Sequence, residues 1–249
     1  MNTSKGIIIA SVLGLCAIIC TAILSFSFLS FTKTRNTSGI TATGSANCNF
    51  ESDLIVWRGS FTTSGDTTAI AYNTIKQDAD LIKNYLIENG ITQEEMVFSS
   101  VNIMQNTTAQ YNENGDYIGD IPNGYSLSQE VSITSNDVNK VERISRDISA
   151  LIESGVELTS GSPEYYYTKL DELKLELIQQ ATENAKQRVD IIAKNSNSKI
   201  GELLGANLGV FQITAQNSAS EEFSYGGTFN TSSRFKTATI TVNLNYSIK

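Results

Sequence analysis

The sequence contains no histidine. That absence removes the commonest general base, the commonest zinc ligand and every Ser-His or Cys-His pairing. An enzyme built on this chain would have to work with carboxylates, lysine or tyrosine alone. Cysteine is scarce: Cys16 and Cys20 fall in an apolar N-terminal stretch, and Cys48 stands alone beyond it. The folded part therefore forms no internal disulfide. With no Lys or Arg beside it in sequence, Cys48 reads as a small strand residue. Only two prolines occur, which argues against Pro-rich recognition segments and disordered linkers. No run of Lys and Arg exists, and the formal net charge is −8. Such a surface repels phosphate backbones, so no nucleic-acid partner is expected. Walker, Rossmann and Gly-x-Ser-x-Gly patterns are missing as well, and no cofactor or metal is expected.

What the chain does have is one long uncharged run, Gly6 to Phe31. It exceeds the ~20 residues that a membrane-spanning helix needs. Lys5 precedes it and Lys33 and Arg35 follow, so the flanking charge gives little orientation. A short tail before a large domain favours a signal-anchor over residues 1–35. Residues 36–249 are then an extracytoplasmic domain, in the periplasm or at the cell surface. A cleaved signal peptide is the rival, but its apolar core is usually ~7–15 residues long and ends in small residues. Here the run ends in Phe26 to Phe31. Leu15 before Cys16 and Ile19 before Cys20 fit a lipoprotein signal poorly.

Beyond the anchor, the hydropathy pattern alternates between periods of two and of 3.6 residues. Thr37 to Ala46 reads as a short strand and Asp53 to Thr63 as a second. Tyr72, Ile75, Ala79, Ile82 and Leu86 make one face of a helix, capped by Asp66 or Thr67 and stopped by Gly90. Thr92 to Glu95 has the form of a capping box. Val97 to Gln110 is a strand, Asn114-Gly115 a hairpin signal, and Gly124 to Thr134 the return strand. A second helix, capped by Asn136 or Asp137, buries Val138, Val141, Ile144, Ile148 and Leu151 and ends at Gly155. Val156 to Thr168 is a strand interrupted around Pro163. A third helix, from about Lys169 to Asn195, presents Leu170, Leu173, Leu177, Ala181, Ala185, Val189 and Ile192. The alanines on that face predict close packing. Leu203 to Ala215 and Phe235 to Ile248 are the last strands, joined by the Ser- and Asn-rich stretch Gln216 to Arg234. The predicted order is β-β-α-β-β-α-β-α-β-β. This is an α+β class: a mostly antiparallel sheet with about three helices on it, preceded by a transmembrane helix.

These segments resemble the SIMPL-domain family. The resemblance rests on Gly44-Ser45-Ala46-Asn47, on Glu88-Asn89-Gly90-Ile91, and on a strand reaching Gln105. It rests also on Gly124-Tyr125 before Val131 and Ile133, and on Glu153-Ser154-Gly155. Gln180 to Arg188 followed by Ile192-Ala193 and Ile200-Gly201 completes it. It covers about residues 38–249 through order and spacing. It implies a bacterial cell-envelope protein of unsettled role, a periplasmic or surface antigen with a link to oxidative stress, and a homo-oligomer. It carries over no catalytic constellation. The long apolar N-terminus and the extended Ser/Asn loop depart from many relatives.

Candidate site residues are few. Tyr165, Tyr166 and Tyr167 precede Asp171 and Glu172. β-Propensity explains the tyrosines, and the acids suit the first turn of a helix. The stretch reads as a strand–helix joint, with Tyr165 and Tyr167 on one face as interface candidates. Glu172 and Glu176 have metal-ligand spacing but read as a solvated face. Asn112 to Asp116 fails the calcium-loop pattern and reads as a turn. Phe223, Tyr225, Phe229 and Phe235 crowd one Gly-containing loop and are expected at a subunit or partner contact. The expectation is a membrane-tethered, non-catalytic, homo-oligomeric assembly or binding module, its ligand unknown. The alternatives are a carboxylate-dependent hydrolase and a Cys48 redox sensor.

Overall fold

The computed structural model describes residues 14–28, 39–218 and 224–249. Residues 14–28 form helix α1, with apolar side chains such as Ile18 and Phe26 exposed. At ~1.5 Å per residue this helix alone is shorter than a ~30 Å hydrocarbon core. Among the described residues no helix is long and apolar enough to cross a membrane. The spanning helix expected over residues 6–31 is therefore not found as such, and its two ends lie outside the described residues.

The rest is α+β with mostly antiparallel strands. The elements are β1 Gly39–Glu51, β2 Leu54–Gly65, α2 Thr68–Glu88, β3 Met96–Phe98, β4 Asn102–Tyr111 and β5 Tyr117–Ser135. They continue with α3 Val138–Asp147, a 3₁₀ helix Ile148–Ser154, β6 Glu157–Ser160, β7 Glu164–Tyr166 and α4 Leu170–Asn195. The last are β8 Ile200–Leu208, β9 Gln212–Ala215, β10 Thr228–Phe229 and β11 Phe235–Ile248. The expected order is thus right in outline and too coarse. The strand expected over Val97–Gln110 breaks where Ser99 exchanges bonds with Glu130. That expected over Leu203–Ala215 breaks at Gly209, and the loop before Arg234 holds the short β10. β5 begins at Tyr117, seven residues before the expected Gly124.

Two compact units divide the chain. The larger comprises Asn47–Leu177 and Val210–Thr239; the smaller comprises Met1–Ala46, Ile178–Gly209 and Ile240–Lys249. In the larger unit β3, β5, β2 and β6 lie side by side, with β4 also on β5 and β7 also on β2. β5 pairs with β2 over eleven consecutive positions, from Ile55↔Ser135 to Gly65↔Tyr125. Alternation puts Ile55, Trp57 and Phe61 of β2 on the same buried side as Leu127, Val131 and Ile133 of β5. Gly59 completes that face because Trp57 lies over it: a Cβ there would sit 2.5 Å from the indole ring. Helices α2 and α3 close the core with Ala71, Ile75, Ile82, Leu86, Val141 and Ile144. Thr67 caps α2, since Ile70 N donates to its Oγ1, and Gly90 (φ +83°) ends it. Tyr72, expected inward, is exposed; Ala71 takes its place one residue earlier. Asp137 caps α3, and the 3₁₀ turn carries the predicted stripe on to Ile148 and Leu151 before Gly155 (φ +87°).

In the smaller unit α4 lies directly on β1. A Cβ on Gly44 would fall 2.2 Å from Ala185 N and 2.3 Å from Ala181 O. Ala181, Ala185 and Val189 are fully buried. Ile192, expected inward, is 44% exposed, and Ala193 takes its place. Arg188 Nη1 donates to Thr43 O, and Ser45 N donates to Asn184 Oδ1. β8 runs antiparallel to β11 from Val242↔Leu208 to Ile248↔Ile200.

Candidate functional site

Arg234, just before β11, is the hub of the polar side chains in the larger unit. Its Nε donates to Glu51 Oε1 at 2.7 Å, and its Nη1 donates to Asn139 Oδ1 at 2.7 Å and to Glu142 Oε2 at 3.3 Å. Glu142 Oε1 in turn accepts the Tyr165 hydroxyl at 2.8 Å. One chain of charge-assisted bonds thus fastens the end of β1, α3, β7 and the start of β11. Tyr165 is buried. Burial first, and the neighbouring carboxylate second, push its hydroxyl up to about 12.

Beside this hub lies a cavity of about 540 Å³ lined by Glu51, Ser52, Asp53, Asp137, Asn139 and Arg234, among others. Its charged groups are engaged. Asp53 accepts both Thr168 N and Thr168 Oγ1 at 2.7 Å. Asp137 accepts Lys140 N and lies 3.3 Å from its ammonium. The acids that converge here are clamped on donors, an arrangement suited to holding elements together.

Lys236 is the other unusual group. It is 1% exposed, and its ammonium donates to Tyr165 O and lies 5.9 Å from the Phe229 ring centroid. Burial alone draws its pKa down to about 8. The sequence signal for it was present: Lys236 is in register with Ala238, Ile240, Val242 and Leu244, the inward series of β11. No comparable signal marks Arg234, a lone cation in a polar loop.

The predicted site residues separate. Tyr165 and Tyr166 form β7, and α4 begins four residues later with Asp171 and Glu172 in its first turn, so the stretch is a strand–helix joint. Tyr165 belongs to the core, and Tyr167 packs at a tilt against Phe50 with ring centroids 5.0 Å apart. Tyr225 is fully exposed; Phe229 and Phe235 are about half exposed, the latter under the Arg234 guanidinium. Phe223 lies outside the described residues. Asn112 to Asp116 is a turn closed by Asn112 Oδ1, which accepts Asn114 N and Asp116 N. Cys48 is half-buried, in register with Ala42, Gly44 and Ala46 on β1. Among the described residues no three His, Cys, Asp or Glu gather to hold a metal.

The hairpin signalled by Asn114-Gly115 is present, and its second strand starts earlier than expected, which lengthens it into an exposed ribbon. Past the end of β2, β4 and the first half of β5 continue as a two-stranded ribbon, Gln105↔Tyr125 through Tyr111↔Tyr117. Ile103 and Met104 at its base, and Tyr111, Tyr117, Ile118 and Ile121 along it, are all exposed. Tyr111 and Tyr117 pack edge to face at its tip.

No curated protein matches the chain. The family model described as SIMPL, protein of unknown function (DUF541), matches residues 40–247, which takes in both units and the order of strands and helices set out above. The chain belongs to the SIMPL family.

Proposed function

We propose that this chain is a membrane-tethered, extracytoplasmic SIMPL protein of the bacterial cell envelope, acting as a homo-oligomeric assembly module without chemistry of its own. The β4–β5 ribbon carries this reading. An isolated two-stranded hairpin is marginal in water, and a ribbon of exposed Ile, Met and Tyr is a surface that soluble monomers avoid. Tyr225, Phe229 and Phe235 add a second exposed aromatic patch to the same unit. The clamping of Glu51 and Glu142 on Arg234 speaks against a paired-carboxylate hydrolase, whose acids must be free to exchange protons. The tether is supported by the uncharged run Gly6 to Phe31 and the exposed apolar surface of α1.

The test is the mass of the full chain in detergent by light scattering. The wild type is expected to contain several copies. Replacing Met104, Ile118 and Ile121 by Ser is expected to reduce it to one, and Tyr225→Ser to weaken association. A wild type that remains a single copy at all concentrations would overturn the reading.

A further inference from the structure

Assembly through the ribbon raises the question of what the ribbon meets. Charge is divided unevenly. The smaller unit holds eight Lys and Arg against three Asp and Glu, whereas the larger holds ten against 23. The ribbon shares the acidic character: between Asn102 and Gly124 stand Glu113, Asp116 and Asp120 and no Lys or Arg. β8, in the smaller unit, begins after Lys199, whose carbonyl accepts the backbone N–H of Lys249.

The second observation concerns open edges. β4 is bonded to β5 alone and β8 to β11 alone, so each leaves one edge of backbone donors and acceptors open among the described residues. Natural edge strands are guarded by Lys, Pro, bulges or a covering segment. β4 has no charged residue and no Pro, and β8 has only Glu202. Two register irregularities interrupt the pairing of β4, at Asn106 and before Tyr111, and two interrupt that of β8, around Leu204 and between Leu203 and Ile200. The two strands are similar in length, 10 and 9 residues. Both expose apolar side chains: Ile103 and Met104 on β4, and Leu203, Leu204 and Leu208 on β8.

We propose that copies of this chain associate head to tail, the open β4 edge of one copy adding to the open β8 edge of the next. Strand addition satisfies both rows of backbone groups and covers both sets of apolar side chains. A ribbon-to-ribbon contact would bring six carboxylates together, whereas β8 carries only Glu202, with Lys199 and Lys249 at its start. The unlike pairing sets the ribbon's Glu113, Asp116 and Asp120 against Lys199 and Lys249. Such a contact is heterologous, so it propagates until it closes into a ring or continues as a filament. This inference rests on the assembly reading above.

The test uses two full-length variants in detergent, each checked for folding by circular dichroism. One carries Ile103→Lys and Met104→Lys on the ribbon; the other carries Leu204→Glu and Leu208→Glu on β8. Each alone is expected to fall to the mass of one copy. Their equimolar mixture is expected to return to at least two copies, because each supplies the surface the other lacks. If the β8 variant alone still associates, ribbons meet ribbons and the proposal falls. If the ribbon variant alone still associates, β8 meets β8 and it falls equally. Both outcomes leave assembly itself intact, whereas a monomeric wild type removes the assembly reading as well. Should a variant not fold, the wild type still decides the matter. Association between unlike surfaces weakens as ionic strength rises from about 0.05 to about 0.5 M. An association that holds or strengthens over that range would overturn the proposal.

Discussion

Lys236 and Tyr165 occupy one buried corner of the larger unit, and their ionisation pulls stability in opposite directions. The lysine has a folded pKa near 8 against an ordinary 10.5. Between those values the unfolded chain binds a proton that the folded chain does not. Stability therefore rises with pH from about 8 to about 10.5, by roughly 3 kcal/mol in the limit of full burial. Tyr165 is raised from 10.0 to about 12. Between those values the folded chain keeps the proton, so stability falls across that window. The pair predicts a maximum near pH 10, read as the urea midpoint at each pH. Lys236→Met should remove the rise below the maximum and leave the fall above it. A profile unchanged in Lys236→Met would show that the ammonium escapes to solvent. At this scale the sequence was only half legible. Period two pointed inward at Lys236, but nothing local identified Tyr165 O as its acceptor or Glu142 as the partner of the tyrosine hydroxyl, because those contacts join residues 71 and 23 positions apart.

Helix α4 and strand β1 meet backbone to backbone at Gly44, and this contact is what the Gly44-Ser45-Ala46-Asn47 stretch and the alanines of α4 have in common. Gly44→Ala should destabilise the chain by about 1–3 kcal/mol, the range for overpacking a filled contact, measured by thermal or urea unfolding. Ala185→Gly in the same background should not rescue it, since the atoms nearest the new methyl belong to the α4 backbone. Elements of this kind were readable from sequence: caps at Thr67 and Asp137, glycine stops at Gly90 and Gly155, and the buried stripe of α3 follow from local chemistry. Missed elements share a physical cause. The ribbon half of β5 shows no alternation because neither of its faces is buried, so the signal that defines a half-buried strand is absent there. The inward faces of α2 and α4 hold over most of their length, but at one end of each, Tyr72 and Ile192, the buried position is an adjacent alanine with little hydrophobic signal.

For the molecule as a whole, the separation of charge between its units matters more than the net value. A chain of formal charge −8 ought to repel its copies, and its cations are unevenly placed: eight of the 18 Lys and Arg fall in the smaller unit, three of them at positions 5, 33 and 35 around the apolar run. The proposed tether is tested at the same scale. Protein recovered from the membrane fraction should have the intact mass of all 249 residues. A species lacking the first 30 or so residues would indicate cleavage and a freely diffusing product. The distinction alters the assembly, since tethering confines copies to a plane and raises their local concentration.

One strand links the ribbon to the interior. The second half of β5 is bonded to β2 through eleven consecutive positions, and its first half forms the ribbon. A pull on the ribbon along its length therefore reaches the core as shear, shared among all the bonds between β5 and β2 at once. It does not peel them open one at a time. A joint loaded in this way is strong, and it fails as a unit. A neighbour that gripped the ribbon would hold the whole larger unit by its most continuous seam.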